Sequence, residues 1–219
     1  MGETGNDRPP EGSDTPGGAT DQLDKRQWRA RLTAGRSAIT AQQQVVEARA
    51  LADTAAGLVT ERAGLTVCCY VPFGPEPGSI ALLDVLRSGG ARVLLPVIPD
   101  TPGPLDWAEY TGTSSLVAGP YRGVLEPSGP RLGPAGVAEA GLVLVPALGV
   151  DRRGVRLGRG GGYYDRSLVL ASPGTELMAA VRDDELVERL PADPHDVRMT
   201  AALTPGYGVV RLAGDGATA

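Results

Sequence analysis

The 219-residue chain is poor in several residue types at once: two cysteines, one histidine, one phenylalanine and, among 21 basic residues, a single lysine, Lys25. Cys68 and Cys69 are adjacent, and in a strand they point to opposite faces, which excludes a disulfide between them. A structural zinc site takes about four N or S ligands, and two Cys with one His fall short. No apolar run reaches the roughly 18 residues of a membrane span. No long basic block occurs and the net charge is −5, which argues against nucleic acid as the main partner. No basic-then-apolar leader is expected, so a reducing, cytoplasmic setting is the expectation.

What is present is ordinary for a globule: 42% hydrophobic and 21% charged residues. Gly (31) and Pro (19) are abundant, a bias that makes the rare Lys25, Phe73 and His195 worth inspecting. Residues 1–20 and 213–219 are almost free of apolar side chains and are expected to be disordered, because they cannot bury enough surface to offset the entropy of ordering. One domain is expected over residues 21–212.

Helical and strand patterns alternate within it. A helix is expected from Asp21 or Asp24 to Ala34, with Gly35 as a possible break. A second follows Thr40, whose spacing to Gln43 is a capping-box signature, and runs to about Glu61. Strands are expected at Leu65–Val71, Arg92–Val97, Gly141–Leu148 and Leu177–Val181, with an edge strand at Val209–Val210. Helices are expected at Ser79–Ser88, Tyr163–Ala171 and Asp183–Leu190, and loops with short strands around Trp107 and Tyr121. This order predicts a three-layer α/β/α fold with a largely parallel central sheet.

The loudest local signal is Arg156-Leu157-Gly158-Arg159-Gly160-Gly161-Gly162-Tyr163-Tyr164-Asp165-Arg166. Glycine amides can converge on an anion without Cβ obstruction, and Arg156 and Arg159 add charged donors suited to phosphate oxygens. The segment reads as a phosphate cradle, although it is neither a Walker A loop nor a dinucleotide fingerprint. A plain surface turn is the competing reading. Asp165 reads either as a helix-dipole residue or as a ligand for a hard cation.

Lys25, Arg29 and Arg36 form a second constellation. At about 100° per residue they fall within a wedge of roughly 40° and span about 16 Å of helix axis. Trp28 and Leu32 lie beside the stripe and would anchor the helix. A solvated basic face is the bland alternative.

These residues resemble the 5-formyltetrahydrofolate cyclo-ligase family, also called 5,10-methenyltetrahydrofolate synthetase. The match runs over about residues 24–205. It includes Val145 through Arg166, Lys25 with Arg29 and Arg36, Tyr70–Ser79 (Tyr-Val-Pro-Phe-Gly-Pro-Glu-Pro-Gly-Ser), Leu95-Pro96-Val97, Tyr121–Pro127, Pro191–Asp196 and Thr204. The resemblance implies an ATP-dependent cyclisation of 5-formyltetrahydrofolate to 5,10-methenyltetrahydrofolate, with ADP and phosphate released after phosphorylation of the formyl oxygen. It implies that Lys25, Arg29 and the loop Arg156, Leu157, Gly158, Arg159, Gly160, Gly161, Gly162, Tyr163 and Tyr164 bind ATP. Asp165 and Asp196 would hold Mg²⁺. Val71, Glu76, Tyr121, Arg159, Gly160 and Tyr163 would meet the folate, with Arg159, Glu76 and Tyr163 carrying the chemistry. Small molecules are the implied partners of a monomer, with no nucleic acid and no membrane.

Judged without the family, Glu76 reads as a solvated loop carboxylate, Tyr121 as either a core or a stacking aromatic, His195 as a loop residue and Phe73 as packing. Two positions depart from the family pattern: Arg182, where an aromatic residue is common, and Glu185, where Gln is usual. They are expected to alter outer contacts to the substrate. They also support an alternative, a family member that binds folate or nucleotide without turnover.

Overall fold

The computed structural model describes residues 1, 23–60, 62 and 64–213. The expected disordered ends therefore lie, Met1 and Ala213 apart, outside the described residues. Helix α1 (Lys25–Ser37) starts at Asp24, whose carboxylate accepts from the Gln27 N–H while the Gln27 side chain accepts from the Asp24 N–H, each at 2.7 Å. This reciprocal cap satisfies two orphan donors and fixes the start. The helix runs through Gly35, so Arg36 stays on it. Helix α2 (Ala41–Thr60) follows Thr40, whose hydroxyl accepts from the Gln43 N–H at 3.2 Å.

Next come β1 (Thr66–Cys68), α3 (Ile80–Ser88), β2 (Arg92–Val97), β3 (Asp106–Glu109), β4 (Leu116–Ala118), β5 (Leu125–Pro127), β6 (Leu142–Pro146), β7 (Gly149–Asp151) and β8 (Arg156–Leu157). Helix α4 (Tyr163–Leu168), β9 (Glu176–Ala180), β10 (Leu186–Val187), β11 (Ala201–Thr204) and β12 (Gly208–Arg211) complete the chain. The central sheet has the order β12-β11-β9-β6-β1-β2-β3, parallel except at its two edges.

Successive strand residues point to opposite faces, and the two cores divide accordingly. Leu142 and Leu144 face α2 and α3 through Leu51, Leu82 and Leu86. Val143 and Val145 face the other way, toward Trp107, Val137 and Leu168. That second layer is thin, built from the six-residue α4 and a 3₁₀ turn over Pro134–Glu139. Cys68 and Cys69 fall on opposite faces, both buried and free. No helix among the described residues is long and apolar enough to cross a membrane.

One expected element is replaced. Asp183–Leu190 forms a 3₁₀ turn (Asp183–Glu185) and the short strand β10 instead of a helix. Glu185 is buried in ion pairs with Arg36 and Arg182, and β10 pairs with β7. Asp151, itself buried, accepts from the Leu190 N–H at 3.0 Å. These long-range contacts draw the segment straight against its helical charge pattern. The expected helix after the glycine loop is also shorter, ending at Leu168.

Strand order reverses between β1 and β6, with β2 on one side and β9 on the other. In open α/β sheets the crevice beyond the carboxyl ends at such a reversal is where ligands bind. Tyr70 and Val71 leave β1 there, and Ala147 and Leu148 leave β6 there.

Candidate active site

A cavity of about 740 Å³ opens at this point. All the candidate site residues line it, from α1, the segment after β1, the β4–β5 hairpin, the glycine-rich loop and the Pro191–Asp196 segment.

The loop is held from below and from the side. Asp151 accepts from the Arg153 and Val155 N–H groups, each at 2.9 Å, which pins the turn that leads into β8. Arg29 Nε donates to the Gly158 carbonyl at 2.9 Å. Gly160 (φ 103°) and Gly162 (φ 66°) adopt left-handed conformations that a Cβ would strain, and at Gly162 a Cβ would also meet Arg166 Nη1 at 2.8 Å. Here glycine is a geometric requirement.

Arg156 is nearly buried and binds Asp165 through Nη2 at 2.5 Å. Its Nε is buried without a hydrogen-bond partner among the described residues. Such a buried, unpartnered donor on a charged group is costly to the fold.

Arg159 reaches across the opening. Its Nε donates to Glu76 Oε1 at 3.2 Å, and its guanidinium stacks over Phe73 at 5.0 Å from the ring centroid. The Glu76 side chain is only 10% exposed, so it is not a solvated loop carboxylate. Burial pushes its carboxyl above the usual glutamate range, partly offset by Arg159, the Phe73 N–H and Arg36. Phe73 serves as the platform for Arg159 as well as packing. Tyr121 is 54% exposed, which rules out a core role, and its hydroxyl lies 3.4 Å from that of Tyr163. Tyr163 in turn carries Arg166 over its ring at 5.2 Å. Val71 lines the wall beside Glu76.

At the opposite end Lys25 Nζ sits between two carboxylates, at 2.8 Å from Asp193 and 2.6 Å from Asp196. Burial pushes the Asp196 carboxyl up, but the Asp193 N–H and the Lys25 ammonium outweigh it and hold the group below the usual aspartate range. Ligand atoms of Asp193, His195 and Asp196 lie within 4.8 Å of one another. Asp165 stands outside that trio, held by Arg156. Sequence reasoning missed Asp193; its signal was the Asp-x-x-Asp spacing to Asp196. Oxygen donors that already seat an ammonium form a site that accepts positive charge, and hard oxygen ligands suit Mg²⁺.

Arg36 lines the cavity with its charge already matched: Nε and Nη2 are locked to Glu185 and to the Ala147 carbonyl. Arg182 and Glu185, expected at outer substrate contacts, are buried and take no part in lining the cavity. They support the wall from behind, which removes the ground for a binder that does not turn over.

Residues 21–205 match the 5-formyltetrahydrofolate cyclo-ligase family. The chain is 48% identical over 192 residues to 5-formyltetrahydrofolate cyclo-ligase of Mycolicibacterium smegmatis, covering 86% of this chain and 97% of the relative. It is 32% identical over 142 residues to the Escherichia coli protein of that name, covering 64% and 78%. In structure it is similar to 5,10-methenyltetrahydrofolate synthetase of Aquifex aeolicus, with TM-score 0.69 and 22% identity over 89% of this chain and 95% of the other. A synthetase from Mycoplasma pneumoniae matches with TM-score 0.65 and 20% identity over 82% and 98%.

Proposed function

The chain belongs to the 5-formyltetrahydrofolate cyclo-ligase family and is an enzyme of that activity, and from this premise we propose how its cavity performs the reaction. The observation that carries the reading is the placement of the glycine-rich loop and Glu76 on facing walls of one cavity, joined by Arg159.

ATP lies along the loop. The amides around Gly158, Gly160, Gly161 and Gly162 and the side chains of Lys25, Arg29, Arg156 and Arg159 meet its phosphates, with Leu157 and Tyr164 backing them. The four cationic side chains Lys25, Arg29, Arg156 and Arg159 on the wall beside the loop support this, because they suit anionic oxygens. Folate occupies the other half, where Val71 and Glu76 meet the reacting ring and Tyr121 offers a stacking face. Asp165 and Asp196, with Asp193 beside the latter, would hold Mg²⁺, which would neutralise phosphate charge.

The formyl oxygen attacks the γ-phosphorus, the bridging P–O bond breaks and ADP departs. The formyl carbon then carries phosphate as its leaving group. N10 attacks that carbon, its N–H proton passes to solvent, and C–O cleavage releases inorganic phosphate and leaves the methenyl bridge. ATP is needed because an amide oxygen leaves poorly and phosphate leaves well. Arg159, Gly160 and Tyr163 stand where the two substrates meet, so their contribution is placement and stabilisation of developing charge.

The two buried free thiols agree with a reducing compartment such as the cytoplasm; burial pushes the Cys69 thiol up to about 12.

The methenyl product absorbs in the near ultraviolet and the formyl substrate does not. Purified protein is expected to raise that absorbance only when both 5-formyltetrahydrofolate and ATP are supplied; no rise overturns the reading. A second expectation follows from Glu76. If its ionised form binds folate, kcat/KM for 5-formyltetrahydrofolate falls as pH drops through its folded value, which burial places above the usual glutamate range. Glu76→Gln should lower the plateau and erase that acid limb, and a limb that survives in the variant assigns it to another group.

A further inference from the structure

Glu76 sits on an irregular segment between β1 and α3, where no ladder of backbone hydrogen bonds holds it. Glycines in left-handed conformations flank the Pro75-Glu76-Pro77 run at Gly74 (φ 58°) and Gly78 (φ 97°); the prolines stiffen the run itself, so its placement turns on these two glycine joints. A site residue on such a segment needs its position supplied from outside.

Two buried side chains supply it, one on each side. The carbonyl just before Glu76, that of Pro75, accepts from Arg182 Nη1 at 3.0 Å. The carbonyl just after it, that of Pro77, accepts from the Tyr70 hydroxyl at 2.6 Å. Arg182 cannot drift, because its Nε donates to Glu47 Oε2 at 2.7 Å and its own N–H donates to Glu185 Oε2 at 2.9 Å. Tyr70 is rigid because it is packed in the core between the sheet and α3. Both prolines lack an N–H, so on each side of Glu76 the carbonyl is the backbone group available to be held.

We propose that Arg182 and Tyr70 are positioning residues that clamp the backbone on both sides of Glu76 and so set its carboxylate against the folate. The inference rests on the reading of Glu76 as a folate contact. Neither residue needs to touch the reacting atoms. Arg182 turns its guanidinium to the segment from behind, and its place between Glu47 and Pro75 gives a function to a position that departs from the family pattern. The backbone of the phosphate loop is held separately, by Arg29 and Asp151, and Glu76 meets that loop only through the Arg159 side chain, so loss of the clamp should weaken folate more than nucleotide.

The test is equilibrium binding to the full chain, with 5-formyltetrahydrofolate and with a non-hydrolysable ATP analogue. Tyr70→Phe removes one hydroxyl and keeps the ring; Arg182→Met removes the other donor but leaves Glu47 without its partner, so Tyr70→Phe carries the test if that variant does not fold. Each is expected to weaken folate about fivefold, the loss of one hydrogen bond, with the analogue changed by less than about twofold. Tyr70→Phe in a Glu76→Ala background should weaken folate no further, because the clamp acts through Glu76. Equal losses for both ligands, or a full additional loss in the Glu76→Ala background, would reduce the pair to a structural role and overturn the proposal. Glu76→Ala alone is the separate control. If it leaves folate binding unchanged, the folate reading of Glu76 fails and the clamp falls with it. If it weakens folate while Tyr70→Phe does not, the clamp alone fails.

Discussion

Arg159→Ala is expected to lower kcat/KM for ATP by roughly 10- to 100-fold, measured under saturating 5-formyltetrahydrofolate. The side chain lies on a flexible-looking glycine loop but is not free: Phe73 supports its guanidinium and Glu76 accepts from it. Glu76 is only 10% exposed, but Arg159 is half exposed, so water and salt reach the pair from the arginine side and its contribution to stability is small. The expected loss therefore comes from the phosphate it would meet. A charge-assisted hydrogen bond contributes about 1.5–3 kcal/mol, and a tenfold change in rate corresponds to about 1.4 kcal/mol. An interaction that strengthens as charge develops on the transferred phosphoryl group should lower kcat as well as raise KM. Folding stability should change by less than about 0.5 kcal/mol, as for other exposed positions. Unchanged kinetics would show that the cradle works without this arginine, and the loop amides would then have to carry the phosphoryl group unaided.

Much of this site could be read in the amino-acid order because its signals are local. Glycine density marks a loop whose backbone must take left-handed conformations, as Gly160 and Gly162 do. Helical spacing brings Lys25 and Arg29 to one side of α1, and both reach the cavity. What stayed hidden depends on partners far away in the chain. Arg36 belongs to the same stripe, yet its partner Glu185 lies 149 residues on, and that pairing, which helical spacing does not show, makes it part of the cavity wall. The same contact removed a helix that Asp183–Leu190 otherwise encodes by pattern. Asp193 was missed because its role depends on Lys25, from the other end of the domain, lying between it and Asp196. Local propensity predicts elements, and buried charge decides where they stop.

That buried charge gives the largest expected effect on stability. Arg36 and Glu185 are 2% and 4% exposed at their side chains and meet in a two-point pair, Nε to Oε1 at 2.6 Å and Nη2 to Oε2 at 2.8 Å. Removing one member of such a pair strands the other charge away from water, which costs about 3–5 kcal/mol. Arg36→Met is thus expected to take a large share of the roughly 5–15 kcal/mol that holds a domain together. It should appear as a lower urea midpoint with an unchanged slope. Arg182 offers partial relief at 3.6 Å from Glu185, which places the expected loss at the lower end of that range. Glu185→Gln on top of Arg36→Met removes the stranded charge while keeping an acceptor for the Arg182 N–H, so the double variant should be more stable than Arg36→Met alone. If instead the double variant is the weaker of the two, Glu185 holds its charge without Arg36, and Arg182 is its principal partner. The activity of the double variant then separates wall from site. Arg36 also donates to the Ala147 carbonyl, where β6 opens into the cavity, so a folded variant with weakened substrate binding would show that this pair shapes the pocket as well as stabilising the fold.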